Sequence, residues 1–290
     1  MATFFQLFLR SFETGAVYGL ATLGIIIVFR TNALVNFAQG VMGMFGAYVI
    51  TFAYSKGVPI LAAILIGVVA AIALGFVVDF VIIRRTKKVS GAGKEIITLG
   101  LMMVILGLVP IIFGVEPLKL GRVIADGSFN VFGANISYNS VLNIFFGIGI
   151  TVLLFFLIQK SKLGLAIRST ASNEKTAKLM GVPTALVTLF AWAVAVVLGS
   201  LSGAMVAPAT SVSINLMDSV QVCAFIACVL GGFQTFYGPV IGAYIIAIAN
   251  NMLSYYVSSV WGTQILYIII MVFIVFKPVG LFGKRTIKKV

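Results

Sequence analysis

The chain has 290 residues, 61% hydrophobic and 9% charged, with 20 basic residues against 7 acidic ones. Soluble domains carry about 25% charged residues, so this chain cannot cover a globular surface with polar groups and needs the bilayer as its solvent. Long unbroken apolar runs exclude a transmembrane barrel, whose strands alternate, and the lack of histidine excludes Ser-His and Cys-His catalysis and the usual metal ligands.

The opening MATFFQLFLR has neither a basic leader nor a small-residue cleavage site, so no cleaved signal peptide is expected. Apolar runs of spanning length follow at 11–29, 58–83, 96–114, 139–159, 184–206 and 262–276. The run 33–54 is long enough to cross but is interrupted by amides and glycines. The stretch 218–257 reads as two shorter segments broken at GGFQTFYGP, with Gly231, Gly232, Gly238 and Pro239 at the turn. The expectation is one all-α membrane bundle over 1–290, with eight or nine spans and one of them broken or re-entrant.

Inside 31–48, TNALVNFAQGVMGMFGAY, the amides Asn32, Asn36 and Gln39 are spaced to share one helix face. Gly40, Gly43 and Gly46 follow. Amides are expensive against lipid unless paired or facing water. Two readings stand. Asn32, Asn36, Gln39, Gly40 and Gly43 line a translocation path along a broken helix, or the amides bond neighbouring helices and the glycines mark a packing seam. Three GxxxG pairs, Gly15–Gly19, Gly199–Gly203 and Gly238–Gly242, indicate tight helix packing.

Basic residues gather in three places: Arg84, Arg85, Lys87, Lys88 and Lys94; Lys160, Lys162, Arg168, Lys175 and Lys178; and Lys277, Lys284, Arg285, Lys288 and Lys289. Even numbers of spans separate the clusters, so all three lie on the cytoplasmic side. The charge excess is a topology signal and not a nucleic-acid footprint. The loop 115–138 then lies outside, and its composition suits a short hairpin. Asp79 is expected at an interface, paired with the basic cluster. Asp218 is expected to cap a helix. Cys223 and Cys228, five residues apart in an apolar run, are expected to form neither a disulfide nor a metal pair. No metal site is expected. The deep membrane is nearly free of ionisable residues, which argues against ion coupling. No P-loop is found: at the nearest candidate, Gly93–Lys94, Lys88 stands where the first glycine belongs and Glu95 follows.

The polar segment at about 160–183 reads as a short helix closed by Gly181 and Pro183. By its residues alone it is either an amphipathic connector on the lipid surface or a docking helix for a cytoplasmic partner.

The segment resembles the coupling loop of bacterial ABC importer permeases, whose Gly–Arg–Ala–Glu–Gly pattern is matched by Gly164, Arg168, Ala171, Glu174, Ala177 and Gly181. NFAQG (36–40) and MFGAY (44–48) are similar to the Asn-Phe-Ala-His-Gly and Met-Leu-Gly-Ala-Tyr runs of the branched-chain amino acid permease family, with Gln39 and Phe45 as departures. LGGFQTFYGPVIGAY (230–244) resembles its Gly-Gly turn, with Gln234 and Thr235 departing from Gly-Ser, and KPVGLFGK (277–284) its closing motif. The resemblance implies the shorter permease subunit of an importer in the bacterial inner membrane, not an enzyme, with a cytoplasmic C-terminus. Its implied partners are a second permease, two ATPases and an extracytoplasmic binding protein. ATP would be used by the partner, and this chain would bind no cofactor. Branched-chain amino acids are the implied substrate. Urea, short amides or another small neutral solute, or an ATPase-independent channel, are the alternatives.

Overall fold

The structure, a computed structural model, describes residues 2–86, 89–124, 127–131 and 134–283. Of the basic clusters, Lys87, Lys88, Lys284, Arg285, Lys288 and Lys289 lie outside the described residues. The chain folds into helices α1 (Ala2–Asn32), α2 (Gln39–Ser55), α3 (Ile60–Val77), α4 (Gly91–Phe113), α5 (Tyr138–Lys160), α6 (Lys162–Ser172), α7 (Glu174–Leu179), α8 (Thr184–Thr210), α9 (Asp218–Gly231), α10 (Tyr237–Tyr256) and α11 (Gly262–Phe276). Strands β1 (Ser128–Val131) and β2 (Ala134–Ser137) pair antiparallel before α5, with Phe129 opposite Ile136.

Local chemistry sets several helix starts. Ser90, Ser137, Ser161 and Asn173 each accept an N–H from the first turn of the following helix, at 2.9–3.2 Å, which satisfies a donor that helix geometry leaves orphaned. α3 continues as a π turn over Val78–Ile82 and a 3-10 turn over Ile83–Thr86.

By length and composition, five helices among the described residues can cross a membrane: α1, α3 with its extension, α4, α5 and α8. The apolar stretches of α1 and α8 are 78% and 61% buried within the chain, against 22% for α3, α4 and α5. α1 and α8 therefore form the centre, and α3, α4 and α5 carry apolar faces outward to lipid or partner. α2, α9 and α11 have 17, 14 and 15 residues; α10 has 20 but carries Asn250 and Asn251.

The contacts give the helix directions. Ser202 donates to the Val17 carbonyl, and Gly24 lies 3.0 Å from the Ala195 carbonyl through the position a Cβ would take, so α1 and α8 are antiparallel. α2 runs parallel to α8, with Gly43 on Gly199 and Ala47 on Gly203. α9 runs parallel to α1, with Ala224 and Cys228 beside Thr22. α10 lies antiparallel on α1, with Asn251 on Ser11 and Val240 on Gly19, as α3 does on α8, with Arg84 on Ala185 and Gly75 on Ala193. The sets α1–α3 and α8–α10 thus repeat one arrangement in opposite directions. Ala33 and Ser211, each the residue just past a long central helix, are the non-glycine residues with positive φ among those described, at 51° and 68°. All three GxxxG pairs lie at helix–helix contacts.

Two expectations change here. Asn32, Asn36 and Gln39 do not share a helix face: Asn32 ends α1, Asn36 lies in the link 33–38, and Gln39 starts α2. Asp218 is the first residue of α9, and the cap position belongs to Met217, so its carboxylate meets the helix dipole but caps nothing.

Candidate functional site

Both short inner helices begin inside the bundle. Gln39 Nε2 donates to the Ala195 carbonyl at 2.7 Å, and Ala195 lies about 16 Å along α8 from its start at a 1.5 Å rise per residue. The link 33–38 therefore carries unpaired backbone into the middle of an apolar bundle, and every polar group there needs an answer. Side chains from other elements supply it. Thr98 Oγ1 on α4 accepts from the Phe37 N–H at 3.1 Å, and Glu95 accepts from Val35 N–H at 3.5 Å. Asn36 Oδ1 accepts from Ala38 N–H at 3.1 Å while its Nδ2 donates to Gln39 Oε1 at 3.2 Å. Gln221, on the first turn of α9, accepts from the Gly40 N–H at 2.8 Å and donates to the Phe37 carbonyl at 2.6 Å.

One carboxamide thus ties the start of α9 to the start of α2, where the two inverted sets meet. Gly40 is the residue that admits it, since a Cβ there would occupy the site of the Gln221 amide. Asn36 and Gln39 are fully or nearly fully buried, and Asn32 is half-buried, donating to Val28 and Thr31. Gly43 faces the Gly199 backbone. Of the residues the sequence reading grouped, Asn36, Gln39 and Gly40 meet around the start of α2 and Asn32 does not; the sequence reading missed Gln221, Thr98 and Glu95. A lone amide in an otherwise apolar stretch was the available signal for Gln221. Replacing Gln221 with leucine should lower stability by about 2–5 kcal/mol, because two buried backbone groups lose their partners. Thermal unfolding in detergent tests this; an unchanged midpoint would mean that Gly40 and Phe37 find other partners.

The second site is the helical pair α6–α7. The expected single helix is two, because Asn173 adopts an extended conformation (φ −159°, ψ 106°) and caps Thr176 N–H. Gly164 and Arg168 point into the molecule: Gly164 packs on the last carbonyls of α5, and Arg168 donates to the Ile158 carbonyl there. Ala177 is buried. Gly181, at φ +82°, closes α7 in a paired motif, with Gly181 N–H on the Lys178 carbonyl at 3.1 Å and Val182 N–H on the Ala177 carbonyl at 3.0 Å. Ala171 is half-buried, and Glu174, Leu165, Leu179 and Met180 are exposed. Of the six residues, four build the pair and Glu174 presents itself outward from the N-terminal turn of α7.

The turn after α9 is close-packed. Gly231 and Gly238 meet backbone to backbone, Thr235 accepts the Gly238 N–H at 3.2 Å, and Pro239 follows in the first turn of α10. Gly232 has φ +90°. The tail docks here, with Leu281 N–H on the Leu230 carbonyl at 2.7 Å. Arg30 donates to the Gln234 carbonyl and covers the Phe236 ring. Arg30, Arg84, Arg168 and Lys277 thus share one end of the bundle, and the hairpin and the start of α1 share the other.

Long apolar helices, with the short helices α2 and α9 starting inside the bundle, define the class, a multi-pass helical membrane protein. The chain belongs to the family described as the branched-chain amino acid transport system permease component, whose model matches residues 7–275. It is 28% identical over 265 residues to a probable branched-chain amino acid transport permease LivH of Methanocaldococcus jannaschii, covering 85% of this chain and 80% of that one. It is 24% identical to the high-affinity branched-chain amino acid transport system permease LivH of Escherichia coli and 23% identical to BraD of Pseudomonas aeruginosa, each covering 99% of this chain and 98% of the relative. No solved structure matches the chain. The chain is a transport permease.

Proposed function

We propose that this chain is the membrane-spanning subunit of an ABC importer for branched-chain amino acids, and that α6–α7 couples it to a cytoplasmic ATPase. One observation carries the reading: α6–α7 is fixed to α5 from below by Gly164 and Arg168 and exposes Glu174, Leu165, Leu179 and Met180 above. A surface element that is rigidly anchored on one side and apolar on the other transmits a push. A groove of about 480 Å³ between α6 and α7, lined by Leu165, Ser169, Thr176 and Met180, suits insertion into such a partner.

The end carrying Arg30, Arg84, Arg168 and Lys277 faces the cytoplasm of a bacterial inner membrane, by the excess of basic residues there. The hairpin and the start of α1 face outward, and the C-terminus faces inward. ATP hydrolysed by two partner ATPases moves α6–α7. Each state is favoured by its own contacts at α6–α7 and at the meeting of α2 and α9. A second permease completes the membrane part, and an extracytoplasmic binding protein delivers substrate. Asn32, Asn36, Gln39, Gly40 and Gly43, with Gln221, lie at the moving centre of the path.

Charge reversal at Glu174 tests the coupling. Co-expressed with its neighbouring permease and ATPase genes, the Glu174→Lys chain should insert normally, retain at least about 10-fold less ATPase on purification and lose transport in proportion, as expected for about 1.4 kcal/mol or more lost at a contact. Full retention of ATPase and transport sinks the assignment.

A further inference from the structure

A cavity at the hairpin end plays no part in coupling or in the clasp at Gln221. It is about 880 Å³, within the range of small-molecule sites, and opens at the hairpin end among α1, α5, α8, α9 and α10. Its wall holds opposite charges. Arg10 and Glu13, one turn apart on α1, both line it, and Arg122 lines it from the loop before β1. No ion pair joins Arg10 to Glu13 among the described residues; Arg84 and Asp79 pair elsewhere. Asn143 Nδ2 donates to Glu13 Oε1 at 2.7 Å, which fixes the carboxylate in place while it lines the cavity. Val17, Val206 and Val220 add apolar lining, and Val17 and Val220 are buried.

A carboxyl side chain within a membrane bundle is characteristically found where it meets a ligand or a pathway. A carboxylate and a guanidinium at the rim of an apolar floor match one ligand chemistry: an ammonium and a carboxylate on one carbon, followed by an aliphatic side chain. We infer that this cavity is a binding site for a free zwitterionic aliphatic amino acid on its way into the permease, with Glu13 receiving the ammonium, Arg10 the carboxylate, and the valine-lined floor the side chain. This rests on the reading of the chain as an amino acid permease and adds where, and by which groups, the permease itself recognises substrate.

The experiment uses the assembled complex, with its partner permease and ATPase, in lipid nanodiscs without binding protein. Radiolabelled leucine is the probe. 4-Methylpentanoate, which lacks the ammonium, and isoamylamine, which lacks the carboxylate, are competitors. Leucine should bind saturably, and each competitor should be at least about 10-fold weaker, since a charge-assisted hydrogen bond is worth that factor or more. Glu13→Gln keeps the acceptor for Asn143 and removes only the charge. It should weaken leucine about 10-fold and leave isoamylamine no better than 4-methylpentanoate. Arg10→Met should weaken 4-methylpentanoate selectively. A cysteine placed at Ser254 in the cavity wall should react with a maleimide several-fold more slowly in the presence of leucine.

If the wild-type complex imports leucine with its binding protein but shows neither leucine binding nor protection at position 254, the cavity is not the site. Equal competition by both analogues, or lipid alone protecting position 254, overturns it as well. If no branched-chain amino acid is imported at all, the reading of function beneath it fails instead.

Discussion

Gly43→Ala should destabilise the chain by about 1–3 kcal/mol, the range for overpacking a close-packed core, and Gly43→Val should prevent the bundle from assembling. A Cβ at Gly43 would lie 2.7 Å from the carbonyl carbon and oxygen of Gly199 and 3.0 Å from its Cα. These are backbone atoms, so no rotamer change relieves the clash. α8 cannot retreat either, because α1 and α3 hold its other faces through Ser202–Val17 and Gly75–Ala193. Gly107→Ala on α4 is the control. Nothing lies within 4 Å of the added methyl there, and loss of a helix-interior glycine should stabilise by roughly 0.5–1 kcal/mol. Thermal unfolding of the detergent-solubilised variants measures both. Equal effects at the two positions would mean that α2 and α8 are not in contact at this seam.

Arg84→Ala should cost about 3–5 kcal/mol, and Asp79→Asn distinctly less. Asp79 has no exposed surface. Its Oδ2 lies 2.8 Å from Arg84 Nε, and its Oδ1 has no partner among the described residues. Arg84 Nη2 also donates to the Ala185 carbonyl at 3.1 Å, and the guanidinium lies 5.5 Å from the centre of the Phe80 ring. Removing the arginine leaves a buried carboxylate without compensation, whereas removing the aspartate leaves a cation that reaches solvent. A double variant, Asp79→Leu with Arg84→Met, should recover most of the loss. If Arg84→Ala and Asp79→Asn unfold together, water reaches Asp79 and the pair is interfacial after all.

The pairing of Asp79 with the basic cluster was legible in the sequence; its burial was not. In an α-helix, side chains five residues apart diverge. The π turn over Val78–Ile82 brings i and i+5 into register, and no local propensity in VDFVI announces it. The break of the polar segment at Asn173 has a similar origin. Asn favours a cap over a helix interior, but whether the helix restarts depends on where Gly164 and Arg168 fix α6 against α5.

The sequence by itself determined the solvent of the chain, the positions of its long helices, the stops at Gly181 and at the Gly231–Gly238 turn, and the family motifs at 36–48 and 230–244. These are set by composition, by run length and by the backbone freedom of particular residues, all of which are local. Only the tertiary structure decided that α1–α3 and α8–α10 run as inverted counterparts, that the amides at Asn36 and Gln39 are answered inside the chain, and that Gln221 joins the starts of α2 and α9. Those outcomes depend on which donor meets which acceptor across more than a hundred residues, Gly40 to Gln221 being separated by 181. Such pairings are selected by the need to satisfy every buried polar group at once, a condition that closes only when all the helices are in place.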